Sequence, residues 1–148
     1  MMASMSTHPP LPFELRRATD GTWFSKWQEA NLRIRIAGDD VGPHPSLLHT
    51  LHDLIARWDE VRTDIVAFLR ALPPDHHVPL EKRTDEGFQA SSCGFATEEP
   101  GFDTLSIKHV DEPARADITF DTGLPDGYAM YRIHLDGGVP VAVSAFAT

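Results

Sequence analysis

Apolar and polar positions alternate in two different rhythms along this chain. Ala30, Leu32, Ile34 and Ile36 are interleaved with Asn31, Arg33 and Arg35, and a period of two puts the apolar set on one sheet face and the cations on the other. That segment predicts a strand. From Leu47 the rhythm changes. Leu47, Leu51, Leu54, Trp58, Val61, Ile65, Phe68 and Leu72 recur at spacings of four and three, which lays one continuous stripe along a helix. Leu48, Ile55 and Leu69 widen the stripe, while Asp53, Arg57, Asp59, Glu60, Arg62, Asp64 and Arg70 fall mostly on the remaining surface. So regular a stripe also suits a coiled-coil seam. A helix of about seven turns followed by strands, however, more often lies across a sheet.

Turn residues punctuate these segments. Asp20-Gly21 separates residues 13–19 from Thr22-Trp-Phe-Ser-Lys-Trp27, and an Asp-Gly pair between apolar runs favours a type I′ hairpin. Residues 39–45 supply a turn and a helix start, with Pro45 suited to the first helical position. Pro73-Pro74 stops the helix, and residues 75–86, with His76, His77 and Pro79, read as a surface loop. Residues 87–95, 104–110, 115–121, 128–135 and 139–146 are short, alternating or β-branched, and separated by Pro, Gly or Asp, so they predict four or five further strands. Leu135-Asp-Gly-Gly-Val139 signals a second hairpin joining the last two. The expected fold is α+β: one long amphipathic helix packed on a largely antiparallel sheet, with N-terminal and C-terminal β-hairpins. Residues 1–12 read as a flexible leader and residues 13–148 as a single α+β domain, with no internal repeat.

The 148 residues suffice for one core, and 41% hydrophobic with 24% charged residues fits a globular chain. Apolar runs stay far below the roughly 20 residues needed to cross a bilayer, so no membrane contact is expected. Residues 1–12 lack the basic start and apolar run of a secretory signal. The one cysteine, Cys93, can form no intrachain disulfide, which fits the cytoplasm. Thirteen basic against twenty-two acidic residues leave a net charge of −9. That charge repels a phosphate backbone and argues against nucleic acid, whereas a more basic protein partner is its natural complement. Acidity also serves solubility alone.

Catalytic signatures are sparse. His49 and His52 lie three apart with Asp53 adjacent and His44 one turn earlier, but a zinc site needs further converging ligands and a supporting shell. His76-His77 would have to fold back along the whole helix, at about 1.5 Å per residue. Cys93, in Ser91-Ser-Cys-Gly94, has no histidine base nearby and reads as tight packing. No Gly-x-Ser-x-Gly elbow, phosphate loop or dinucleotide fingerprint occurs. No metal, cofactor or catalytic residue is therefore expected. Asp117, Asp121, Asp126 and Asp136 cluster in the C-terminal half, and Asp117 and Asp121 share a strand face with Arg115 and Thr119. Paired carboxylates can run acid–base chemistry, but a solvated face is the better reading; Asp126-Gly127 and Asp136-Gly137 are turn chemistry. Trp23 and Phe24 must point to opposite sides of a strand. Together with Trp27, Tyr128 and Tyr131 they suit either a protein-binding surface or a sheet covered on both faces.

The element order, with Ile118-Thr-Phe-Asp121 and Tyr131-Arg-Ile-His-Leu-Asp-Gly-Gly138 near its end, resembles small uncharacterised bacterial domains that accompany polymorphic toxins and are regarded as immunity proteins. Those domains often carry a Trp-Asp pair followed by Glu-His-Gly before the last hairpin. Here Phe120-Asp121 is followed by Thr-Gly-Leu-Pro-Asp-Gly127. The expectation is a noncatalytic protein-binding module, immunity- or antitoxin-like, that occludes a basic partner. Its contact residues would be Trp23, Trp27, Asp117, Asp121, Asp126 and Tyr128. The alternative is a small-molecule-binding or enzymatic domain, with a pocket between helix and sheet lined by Tyr131, Arg132, His134 and carboxylates. An exposed sheet edge also leaves room for a homo-oligomer.

Overall fold

The apolar stripe that predicts one long helix is carried by two. The computed structural model describes residues 10–73, 77–79, 90–91, 101–121 and 129–147. In chain order these form β1 (Arg16–Arg17), β2 (Thr22–Trp27), β3 (Leu32–Ala37), α1 (Pro45–Ala56), α2 (Trp58–Ala71), β4 (His77–Val78), β5 (Ala90–Ser91), β6 (Gly101–Ile107), β7 (Arg115–Asp121), β8 (Ala129–Asp136) and β9 (Val139–Ala147). The expected fold is thus corrected. Sheet dominates, and no single long helix lies across it.

The helix breaks at Arg57, whose backbone leaves the helical region (φ −111°, ψ 21°). Neither proline nor glycine marks the place, so nothing in the local sequence announces it. The break holds because it keeps the stripe in phase: Leu47, Leu51, Leu54, Val61, Ile65 and Leu69 are all fully buried on either side of it. Each such aliphatic side chain contributes about 1.5–3 kcal/mol through burial, so the apolar face is satisfied whether or not the helix is continuous. What the break adds is direction. α1 lies against β3 and β6, whereas α2 lies against β9, and two short helices can follow a twisted sheet where one straight rod cannot.

Seven strands form the main sheet in the order β1-β2-β3-β6-β7-β8-β9. Every neighbouring pair is antiparallel except β3 and β6, which run parallel and are joined by the connection that carries both helices. Parallel pairing needs such a long crossover. A separate two-stranded ribbon pairs β4 with β5 and meets β9, where the Ala145 N–H donates to the Pro79 carbonyl at 2.9 Å. β5 is the described part of the strand expected at residues 87–95, whereas β4 corrects the expectation of a surface loop over residues 75–86: His77 and Val78 pair with Ser91 and Ala90. The core fills the space between helices and sheet with Leu32, Ile34, Ile36, Leu105, Ile107, Ile118, Phe120, Tyr131, Ile133 and Leu135.

The turns also refine the expectations. At the first hairpin only Gly21 has positive φ (84°) and Asp20 does not, so the type I′ turn is not formed. Instead the Asp20 carboxylate accepts from the backbone N–H and the hydroxyl of Thr22, which hold its pKa below the ordinary value of 3.8. Between β2 and β3 a turn over residues 28–31 ends on Asn31 at φ 51°, so Ala30 and Asn31 belong to the turn and not to the strand. At the second hairpin Gly137 (φ 60°) and Gly138 (φ 82°) join the paired residues Asp136 and Val139. Both central residues need positive φ in this turn, and glycine supplies it without strain.

Candidate functional site

Two constellations stand out, on opposite faces of the sheet. The first surrounds the helix break. Arg57 is held there by the Asp53 carboxylate at 2.8 Å and by the Gly137 carbonyl at 2.9 Å, with Glu60 at 4.0 Å. Its pKa is raised, chiefly by the hydrogen bond to Asp53. The guanidinium lies so close over Gly138 that a Cβ there would meet Nη2 at 2.5 Å. A positive φ and a close approach both require glycine at that position.

Beside this anchor the break opens a groove of about 720 Å³, floored by Trp27 and Trp58 and rimmed by Glu29, Asp59, Glu60, Arg57 and Arg62. Glu29, Asp59, Glu60 and the neighbouring Asp64 are exposed. On the rim itself the carboxylates of Glu29, Asp59 and Glu60 outnumber Arg57 and Arg62 three to two, and Arg57 is already paired with Asp53, so the rim is acidic. Trp27 and Trp58, only 7% and 8% exposed, meet edge to face at 5.9 Å. They start an aromatic chain: Trp58 packs on Phe102, Phe102 on Phe120, and Phe120 stacks on Tyr131 at 5.5 Å. Phe13 closes the outer end against Trp27 at 6.2 Å. Such contacts add about 0.5–1.5 kcal/mol each beyond burial, and they tie the floor of the groove rigidly to the core. The buried Trp27 Nε1 has no hydrogen-bond partner among the described residues.

The second constellation lies on the sheet face that the helices leave uncovered. Asp117 on β7 is 2% exposed. Its Oδ1 lies 2.7 Å from His134 Nδ1 on β8, and its Oδ2 lies 3.3 Å from His109 Nε2. His134 Nε2 in turn lies 2.9 Å from Ser144 Oγ on β9. An ionised carboxylate only accepts, so His134 donates through Nδ1; in the neutral ring Nε2 then accepts the Ser144 hydroxyl. Cross-strand register builds the chain. Asp117 stands opposite His134, and Ser144 is one pleat diagonal from it, opposite Arg132. Arg132 stacks over the Phe146 ring at 4.7 Å.

The expected contact residues divide among these places. Trp27 lies in the floor of the acidic groove. Trp23 is half-buried, and its indole N–H donates to the Asp39 carbonyl at 2.9 Å, bracing the turn into α1. That turn is tight, since a Cβ on Gly38 would meet the Gly42 carbonyl oxygen at 2.3 Å. Asp117 is buried in the relay and so is not part of a solvated face. Asp121 ends β7, with its backbone paired to Gly101. Asp126, Tyr128, Cys93 and His76 lie outside the described residues.

The residues expected, in the alternative reading, to line a pocket between helix and sheet do not share one face. Tyr131 is buried within the core, whereas Arg132 and His134 alternate onto the other face. His109 and Ser144 were not singled out from sequence. Among the described residues no group of three or more potential ligands converges on a metal position, and no helix is long and apolar enough to cross a membrane. The chain matches no protein-family model, and it matches no curated protein and no solved structure.

Proposed function

We propose that this chain is a cytoplasmic protein-binding module, immunity- or antitoxin-like, that occludes a more basic protein partner at the groove beside the helix break. One observation carries the reading: an acidic rim stands over a floor of two tryptophans that are locked into the core. Tight interfaces are organised as an apolar centre within a charged rim, with the charges giving steering and specificity, and here the two tryptophans give that centre a rigid floor. An arginine or lysine side chain of the partner would meet the rim carboxylates with its charge and lay its apolar stem on the small accessible part of the two indoles. A standard interface takes about 800 Å² from each partner, which a chain of this size supplies around one such groove. The net charge of −9 favours a basic partner over nucleic acid.

The test is affinity capture from native lysate, and from the products of neighbouring genes, at low and at raised salt. A basic protein retained at low salt and released at raised salt is the expected result, because exposed charge pairs are screened by added ions. A chain that captures nothing under either condition contradicts the reading.

A further inference from the structure

We infer that Ser144 is an activated nucleophile, with His134 as its general base and Asp117 positioning the imidazole, that accepts the acyl group of a small uncharged apolar ester. The inference rests on geometry that partner binding does not use. The hydroxyl lies 2.9 Å from His134 Nε2, and the other ring nitrogen lies 2.7 Å from Asp117 Oδ1. Nucleophile, base and orienting carboxylate within hydrogen-bond reach, in that connectivity, are what converts a serine hydroxyl into a nucleophile on unrelated folds. The carboxylate is 2% exposed and held from its other oxygen by His109 at 3.3 Å, so the imidazole is oriented from a buried, fixed point.

Access is through the imidazole. His134 keeps 20% of its side-chain surface and lines an open groove of about 540 Å³ with five apolar residues, among them Pro113, Val141 and Ala142, and with Glu112, Arg115 and Asp136, while Ser144 itself stands outside that lining. Ala142 stands in register opposite His134 and two residues before Ser144 on the same strand. The groove walls beside the imidazole are therefore mostly apolar, which selects an uncharged apolar acyl or alcohol group. Ser144 itself is 9% exposed and sits within a regular strand, so the chemistry is expected to be slow and is best read as a covalent adduct.

In the acyl-transfer step Ser144 Oγ bonds to the ester carbonyl carbon as its proton passes to His134 Nε2. The carbonyl–alkoxide bond then breaks, and the alcohol leaves with that proton. Water attacks the acyl-serine, again giving a proton to His134, and the products are a carboxylic acid and the free serine. A fluorophosphonate probe follows the first half alone: an Oγ–P bond forms, the P–F bond breaks, and fluoride leaves with the proton.

The full chain is incubated with a biotinylated fluorophosphonate and followed by intact-mass and tandem mass spectrometry, with a urea-unfolded sample as control. The expected result is one adduct per folded chain, mapped to Ser144 and slowed by competing p-nitrophenyl butyrate. No adduct should form on the unfolded chain. His134→Gln should label at least about 100-fold more slowly. Asp117→Asn should slow labelling and change the shape of its pH–rate profile, which a loss of stability alone would not do. Mapping the adduct on the unaltered chain keeps the test valid even where a variant fails to fold. An unlabelled folded chain, an adduct on another residue, or a His134→Gln chain that labels at the original rate overturns the inference.

Discussion

The two halves of the uncovered sheet face are built from the same alternation and end in opposite physical states. In the β2–β3 half, Lys26, Arg33 and Arg35 are exposed beside Phe24, itself 40% exposed. In the β7–β9 half, Asp117 and Ser144 are buried and joined through His134. Side-chain length and pairing make the difference, since β3 lies between the full-length strands β2 and β6 just as β7 lies between β6 and β8. The short carboxylate of Asp117 stays among its cross-strand neighbours and meets two histidines there, whereas the long cations of β3 reach past the pleat into water. A polar alternation in sequence therefore does not say whether a polar face is solvated; the length of its side chains and what stands opposite them do.

The comparison can be broken most forcefully at Asp117. Asp117→Ala removes the acceptor for two histidines, and hydrogen bonds to a charged group are worth about 1.5–3 kcal/mol, so a loss of that size is expected in urea denaturation. A loss below about 0.5 kcal/mol would mean that the relay half is as inconsequential as the cationic half. Arg57→Ala, which releases the helix break from Asp53 and the Gly137 carbonyl, should cost about 1 kcal/mol. Circular dichroism should show the helix content little changed, since the apolar stripe remains.

Arg33→Ala should stay within about 0.5 kcal/mol of the parent, as exposed substitutions do; a larger loss would show that the cationic half is also structural. The smallest effect is expected at Asp39. The N–H groups of Val41 and then Gly42 hold its carboxyl below the ordinary value of 3.8. A depressed folded value contributes stability above pH 3.8, and that stability is lost as pH falls through the folded value. Asp39→Asn should therefore flatten the acid limb of a stability-against-pH curve, with its small loss falling at neutral pH and the two chains converging in acid.

Much of the strand layout was legible because period-two patterns and glycine-bearing turns are local signals. Ile34 and its neighbours, and the Gly137-Gly138 turn, are read within a few residues. The helix break was not legible, since Trp58 follows Leu54 at the spacing that continues a helix. The cause of the bend lies in the sheet below it and in a hairpin carbonyl 80 residues on. The parallel pairing of β3 with β6 is hidden for a similar reason. The relay is assembled across separations of 17 and 10 residues by strand register, and each of its members alone looks like an ordinary polar strand residue. Burial of Trp27 within an acidic rim likewise follows from the break and not from the alternation of β2.

We propose that a basic partner is recognised at the acidic groove and not on the sheet face that the helices leave uncovered. It is tested most directly by quantitative capture with three chains side by side: the parent, Asp59→Lys with Glu60→Lys on the groove rim, and Arg33→Glu with Arg35→Glu on the uncovered face. All four altered side chains are exposed, so all three chains should fold alike. The account predicts that the parent and the Arg33/Arg35 variant retain the same basic protein at low salt while the Asp59/Glu60 variant loses it. Retention by the Asp59/Glu60 variant, or loss by the Arg33/Arg35 variant alone, would contradict it.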